Sequence, residues 1–112
     1  MKVRKSSLDG ETLVFEIEAG DDGPIVDALD GPKPNGFAIF GEGISVPIAV
    51  VDGRIVDRGL TRDHLLAVEA HELGHILQNS EQEEVAERFA IDILTKLGHS
   101  TAADILLDRG IV

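Results

Sequence analysis

Residues 61–78 read Thr61-Arg62-Asp63-His64-Leu65-Leu66-Ala67-Val68-Glu69-Ala70-His71-Glu72-Leu73-Gly74-His75-Ile76-Leu77-Gln78, and the rest of the chain is best read outward from them. Thr61 is a favourable N-cap, Leu60 is placed to pack on Leu65 as a hydrophobic staple, and no Gly or Pro interrupts the run before Gly74. This punctuation predicts one helix from about Arg62 to Gln78. Apolar residues precede and follow its centre, so the helix is expected to be buried on several sides. His71 and His75 stand four residues apart, which projects both imidazoles from one helix face about a turn apart, close enough to share one ion. Zinc suits such a pair. The chain has no Cys, so a metal site has to be built from His and carboxylates. Glu72 lies about 100° round the helix from His71, beside such an ion, where it can act as a base on a water without ligating. Gly74 costs about 1 kcal/mol relative to Ala in a helix interior, which points to close packing there by a second helix or a substrate.

Downstream, Asn79-Ser80 makes a turn, and Ser80 with Glu83 has the capping-box pattern for a second helix reaching about Leu97, with Gly98 as its stop. A catalytic zinc keeps three protein ligands and an open position, and the acidic run Glu81-Gln82-Glu83-Glu84-Val85-Ala86-Glu87 offers the third. Val85, Ala86, Phe89, Ala90, Ile93, Leu94 and Leu97 share one broad face; Glu83 and Glu87 fall on its border and Glu84 points to the polar side. Glu83 is therefore the expected third ligand and Glu87 an orienting carboxylate behind the ligands, with ligation by Glu84 or Glu87 left open. The plainer reading of the run is a solvated helix face with a cap. A third, short helix is expected from a Ser100 or Thr101 cap through Ala102 to Asp108, ending at Gly110.

Upstream of residue 60, Gly and Pro punctuation breaks the chain into short pieces. Thr12 to Ala19 alternate apolar and polar as a strand with one wet face does. Asp21 to Gly36 reads as loop with a short helical turn at Ile25 to Leu29, and Phe37-Ala38-Ile39-Phe40 as a short buried strand. Ile48-Ala49-Val50-Val51 and Arg54-Ile55-Val56 flank Asp52-Gly53, the type I′ hairpin signal. Pro47 places the start of its strand there, or puts that strand at a sheet edge. Strands followed by helices predict the α+β class: a small mixed or antiparallel sheet with a hairpin, then the His-bearing helix, a second ligand-bearing helix and a short C-terminal helix. At 112 residues there is room for one core, so residues 1–112 are expected to form a single domain.

His71-Glu72-Leu73-Gly74-His75 followed by Glu83-Glu84-Val85-Ala86-Glu87-Arg88-Phe89-Ala90 resembles the paired motifs of the gluzincin metallopeptidases, HExxH and then ExxA[D/N]xxA. The resemblance covers residues 65 to 94. It implies a minimal zincin-like domain, one zinc per chain on His71, His75 and Glu83, and endopeptidase-type hydrolysis of a peptide or protein substrate with Glu72 as general base. It also implies an edge strand, Ile48 to Val51 or Phe37 to Phe40, that holds the substrate extended by β-augmentation. The sequence departs from the family in three ways. Only seven residues separate the motifs, Glu87 stands where the family has Asp or Asn, and the chain has no Tyr. Many gluzincins use Tyr, His or Arg to stabilise the oxyanion, and His99, His64 and Arg109 are the candidates here.

A net charge of −11 opposes binding to a phosphate backbone, so no nucleic-acid ligand is expected, and peptides or cationic partners fit better. Met1-Lys2-Val3-Arg4-Lys5 is followed by Ser6-Ser7-Leu8-Asp9-Gly10 rather than by an apolar run. Neither a signal peptide nor a membrane span is expected, and the location is expected to be cytoplasmic. Oligomeric state is not legible. Two rival functions follow from the same residues: a catalytically weak or inactive module, stapled by zinc, that binds a protein partner, and a metal-free domain that presents its acidic surface to a basic partner.

Overall fold

The chain, as a computed structural model that describes residues 1–109, runs β1 (Lys2–Lys5), β2 (Leu13–Ile17), α1 (Pro24–Leu29), β3 (Gly36–Ile39), β4 (Ile48–Asp52), α2 (Arg54–Asp57), α3 (Arg62–Leu77), α4 (Glu83–Lys96) and α5 (Ser100–Arg109). The four strands form one mixed sheet in the order β1-β2-β4-β3. β2 and β4 are parallel at its centre, with β1 and β3 antiparallel to them at the edges. The α+β class holds, with the sheet first and the principal helices after it.

Period-two alternation gives the sheet two buried faces. Val14 of β2 and Ala49 and Val51 of β4 turn towards Leu65 and Val68 of α3. Ile17 and Val50 turn the other way, where Val26 and Leu29 of α1 cover them. α3 therefore has the sheet on one side. On its other side Ala67, Ala70 and Leu73 pack with Ala90 and Leu94 of α4 and Ala103 and Leu106 of α5. A helix covered on both sides has to be apolar nearly all round, which accounts for the dense run from Leu65 to Leu77. Among the described residues no helix is long and apolar enough to cross a membrane.

Local chemistry sets the boundaries of α3. Thr61 Oγ1 accepts from the His64 N–H at 3.2 Å, and Leu60 packs in the same cluster as Leu65, as the cap and staple require. The close neighbour of Gly74 is α4: a Cβ at Gly74 would stand 2.9 Å from Ala86 Cα. Gly98, at φ 83°, ends α4, and the His99 N–H returns to the Leu94 carbonyl at 2.8 Å. α5 starts at Ser100, so neither Ser100 nor Thr101 caps it; the expected end at Gly110 lies outside the described residues.

Three local expectations are corrected. Asp52-Gly53 makes no hairpin, because Gly53 sits in the right-handed helical region (φ −60°, ψ −18°) and Arg54–Asp57 is helical. The Asp52 carboxylate accepts from the Arg54 N–H at 3.1 Å and from Arg54 Nε at 2.8 Å, which starts a helix instead of a return strand. The glycine is needed for closeness: a Cβ on Gly53 would stand 2.5 Å from the Ile17 carbonyl oxygen. Next, residues 36–39 form a half-buried edge strand, whereas Ile48–Asp52 is internal and starts directly after Pro47. The capping box is not formed either. Gln82 is the N-cap residue of α4, and Ser80 Oγ accepts from the Gln82 N–H at 3.1 Å. β1 is a strand that the sequence does not announce: it carries no apolar alternation, because its inward side chain is Arg4, which donates to the buried Glu69 carboxylate at 2.6 Å and to Glu16 at 3.2 Å.

Gly74→Ala should destabilise the protein by about 1–3 kcal/mol in urea titration, because the added Cβ meets the Ala86 backbone, which cannot swing aside like a side chain. The roughly 1 kcal/mol of helix propensity that Ala gains would not offset this. A variant as stable as the wild type would contradict so tight a contact.

Candidate metal centre

His71 and His75 both lie on the buried part of α3, and their rings meet edge to face with centroids 4.9 Å apart. The start of α4 brings Glu83 over them. His71 Nε2 is 2.7 Å from Glu83 Oε2, and His75 Nε2 is 3.3 Å from Glu83 Oε1. One ligand atom from each of His71, His75 and Glu83 falls within a cluster no wider than 4.8 Å. Glu84 is exposed and does not join this group. Glu83 escapes its expected capping role because the two imidazoles hold its carboxylate.

The protonation of His75 follows from its other partner. Its Nδ1 lies 2.7 Å from the Ser80 carbonyl oxygen, which can only accept, so the proton of a neutral ring is assigned to Nδ1. Nε2 then turns a lone pair towards the Glu83 carboxylate. Two acceptors then face each other at 3.3 Å, an opposition that a proton or a metal ion between them relieves. Bonds of about 2.0–2.2 Å from zinc to nitrogen and oxygen give tetrahedral edges of roughly 3.3–3.6 Å; the donor set fits that ion in type, the 3.3 Å pair matches such an edge, and His71 Nε2 at 2.7 Å from Glu83 would have to draw back to admit the ion. His71 Nδ1 and Glu87 Oε1 are both buried without a hydrogen-bond partner. Glu87 makes no hydrogen bond to either imidazole in this state.

Glu72 is 5% exposed and lines the same cleft, of about 580 Å³, as the three candidate ligands. Burial pushes its carboxyl up to about 8, the nearby Glu83 charge adds to this, and Lys33 opposes it. Burial also lowers His71, against the pull of Glu83. The side of the cleft away from α3 is open, since the Glu83 side chain is 50% exposed.

β3 and the residues around it form the facing wall. Gly36 allows the approach, because a Cβ there would stand 2.7 Å from Val68 Cγ1 of α3 and 2.7 Å from the Val50 carbonyl oxygen. Phe40, just past β3, stacks on the His75 ring with centroids 6.1 Å apart and planes 23° apart. Sequence reading missed Gly36 and Lys33 as site residues, and placed Phe40 only at the end of a substrate-holding strand. The Pro32-Lys33-Pro34-Asn35-Gly36 cluster signalled only a loop, although so dense a set of turn residues before a strand also marks a fixed backbone. Conversely, none of His64, His99 and Arg109 lines this cleft. His64 is buried near the start of α3, where burial and Arg109 lower it, and His99 lines a separate groove with Arg4 and Arg62.

Comparison with protein families matches residues 8–108 to peptidase family M48, and the chain belongs to that family. It is therefore a member of a family of metal-dependent peptidases, which act on peptides or proteins. Comparisons with curated proteins and with solved structures gave no match.

The raised Glu72 carboxyl sets a pH dependence for the metal-free protein. Between the ordinary value of 4.5 and about 8, the folded state holds a proton that the unfolded chain releases, so this group makes stability fall as pH rises through that window. Glu72→Gln stays neutral and removes the fall. In chelator-treated samples, the stability of the variant relative to wild type should rise by roughly 2–4 kcal/mol between about pH 5 and about pH 8. A difference that does not change with pH would contradict the buried, protonated Glu72.

Proposed function

We propose that this chain is a gluzincin-type zinc peptidase that hydrolyses internal peptide bonds, with His71, His75 and Glu83 as the metal ligands and Glu72 as the general base. The observation that carries this reading is the convergence of His71 Nε2, His75 Nε2 and the Glu83 carboxylate beside a buried carboxyl, in a cleft open to solvent. A zinc ion on that set would acidify a water and polarise a peptide carbonyl.

The chain's own residues carry the remaining steps. Ser80 holds the His75 ring through Nδ1 and thereby aims Nε2 at the ligand cluster. His71, ligating through Nε2, would carry its proton on Nδ1, and Glu87 Oε1 is the unpaired buried acceptor we assign to it. Glu72 is protonated near neutral pH in the metal-free state, and a dication at the ligand cluster favours its carboxylate, so the base is available only in the loaded protein. Glu72 takes the proton of the attacking water and delivers it to the leaving amine nitrogen. β3, the edge strand beside the cleft, offers its free backbone groups to an extended substrate, as the resemblance implied for residues 37–40.

Purified protein should contain about one zinc per chain by elemental analysis. Glu83→Ala should weaken zinc binding in chelator competition by more than the roughly 10–100-fold typical of an outer-shell loss, while Glu84→Ala leaves it unchanged. Glu72→Gln should keep zinc and fold yet lose hydrolysis of unstructured peptides by at least about 10²-fold. Zinc retention without hydrolysis in the wild type would favour the zinc-stapled binding module, and failure to take up zinc would refute the reading altogether.

A further inference from the structure

The cleft has no tyrosine, and the three side chains expected to supply a positive group lie elsewhere, so what could stabilise negative charge at the reacting carbonyl has to be sought among the residues that do line it. Lys33 is the one Lys or Arg among them. The ion pairs of the described residues engage Arg4, Arg54, Arg58, Arg62 and Lys96, and leave Lys33 without one. This is unusual company for a free cation, because Glu72, Glu81 and Glu83 line the same cleft.

The backbone beneath Lys33 is held on both sides. Pro32 and Pro34 flank it, and prolines fix their own φ and restrict the residue before them. The Lys33 N–H donates to the Ala28 carbonyl at 2.9 Å, tying the segment to α1. Two residues on, the Asn35 carbonyl accepts from the Asp52 N–H at 2.9 Å, and Gly36 pairs with Val51 in the sheet. Asn35 itself sits in the left-handed region at φ 73°, a conformation that Asn tolerates better than most residues. An exposed ammonium on a fixed root, uncommitted and lining the same cleft as the ligand cluster, suits a group that must meet a charge present only during reaction.

We propose that the Lys33 ammonium stabilises the negative charge that develops on the scissile carbonyl oxygen, the part played in related enzymes by Tyr, His or Arg. The inference rests on the peptidase reading above. As the water oxygen bonds to the carbonyl carbon, the C=O π pair moves onto the oxygen that Lys33 faces, and Glu72 holds the water's proton. When the C–N bond breaks, that pair returns to re-form C=O, the leaving nitrogen takes the proton from Glu72, and Lys33 keeps its own protons throughout. Lys33 contacts the reacting oxygen only and has no part in holding the ion.

The test compares zinc-loaded wild type, Lys33→Met, Lys33→Arg and the charge-matched surface control Lys96→Met. The readouts are peptide hydrolysis, zinc content, and calorimetric binding of a phosphinic peptide, whose tetrahedral anion imitates the charged intermediate. Lys33→Met should lower kcat by at least about tenfold, towards the roughly 10²–10³-fold seen when an oxyanion donor is removed elsewhere. KM and zinc content should stay near wild type, and affinity for the phosphinic peptide should fall in parallel with kcat/KM. Lys33→Arg should recover most of both losses, and Lys96→Met should change neither. An active wild type whose Lys33→Met variant keeps its kcat, or changes KM alone, overturns the oxyanion role and leaves the peptidase reading standing. A wild type that neither cleaves peptides nor binds the phosphinic peptide overturns both.

Discussion

The site depends on a single hydrogen bond from the His75 ring to the Ser80 carbonyl. A carbonyl oxygen cannot donate, so the 2.7 Å contact assigns the proton of the neutral ring to Nδ1 and leaves Nε2 as a lone pair facing a carboxylate. A proton or a metal ion between the two relieves that opposition. The short turn between α3 and α4 produces it. With so few residues between the helices, the turn's own backbone becomes the outer partner of one imidazole while the next helix delivers Glu83 to the other side. The spacing that sets this sequence apart from the usual pattern thus carries a structural role of its own.

Around that contact the fold fixes distances by omitting side-chain atoms. Gly74 lets α4 lie against α3, and Gly36 lets the edge strand approach α3 next to Glu72. α3, buried between the sheet and the other helices, places His71, Glu72 and His75 where water reaches them poorly. Glu72 shows the consequence: burial favours its neutral form, and the same burial strengthens the influence of any cation placed nearby. The buried imidazoles and carboxyl on the α3 wall, with Glu83 beside them, would make a dication at this site favourable through the same electrostatics.

Much of the second half of the chain was legible. Its elements are helices whose caps, breakers and apolar periodicity are local: Thr61, the unbroken run to Gly74, and Gly98 gave α3 and the end of α4 within a residue or two. The His71 and His75 pair needed only helical geometry. The misreadings arose where a side chain had two possible partners and the choice lay outside the local sequence. Glu83 could cap α4 or meet the imidazoles, and the charged site prevails. Asp52 could open a hairpin, yet its carboxylate holds Arg54 and starts a helix. Arg4 turns inward because Glu69, sixty-five residues away, is buried there to receive it, and no apolar alternation marks that strand. The wall of the cleft was the least legible part, since the significance of Lys33, Gly36 and Phe40 lies entirely in what faces them across space.

The central claim is that one metal ion sits between α3 and the start of α4. The most direct test is a crystal structure of the zinc-loaded protein with an anomalous difference map recorded at the zinc absorption edge. The expected result is one strong peak per chain within bonding distance of His71 Nε2, His75 Nε2 and a Glu83 carboxylate oxygen, with the His75 Nδ1 bond to Ser80 retained. A peak elsewhere on the surface, or a loaded protein in which His71 and His75 remain free of the ion, would contradict the account.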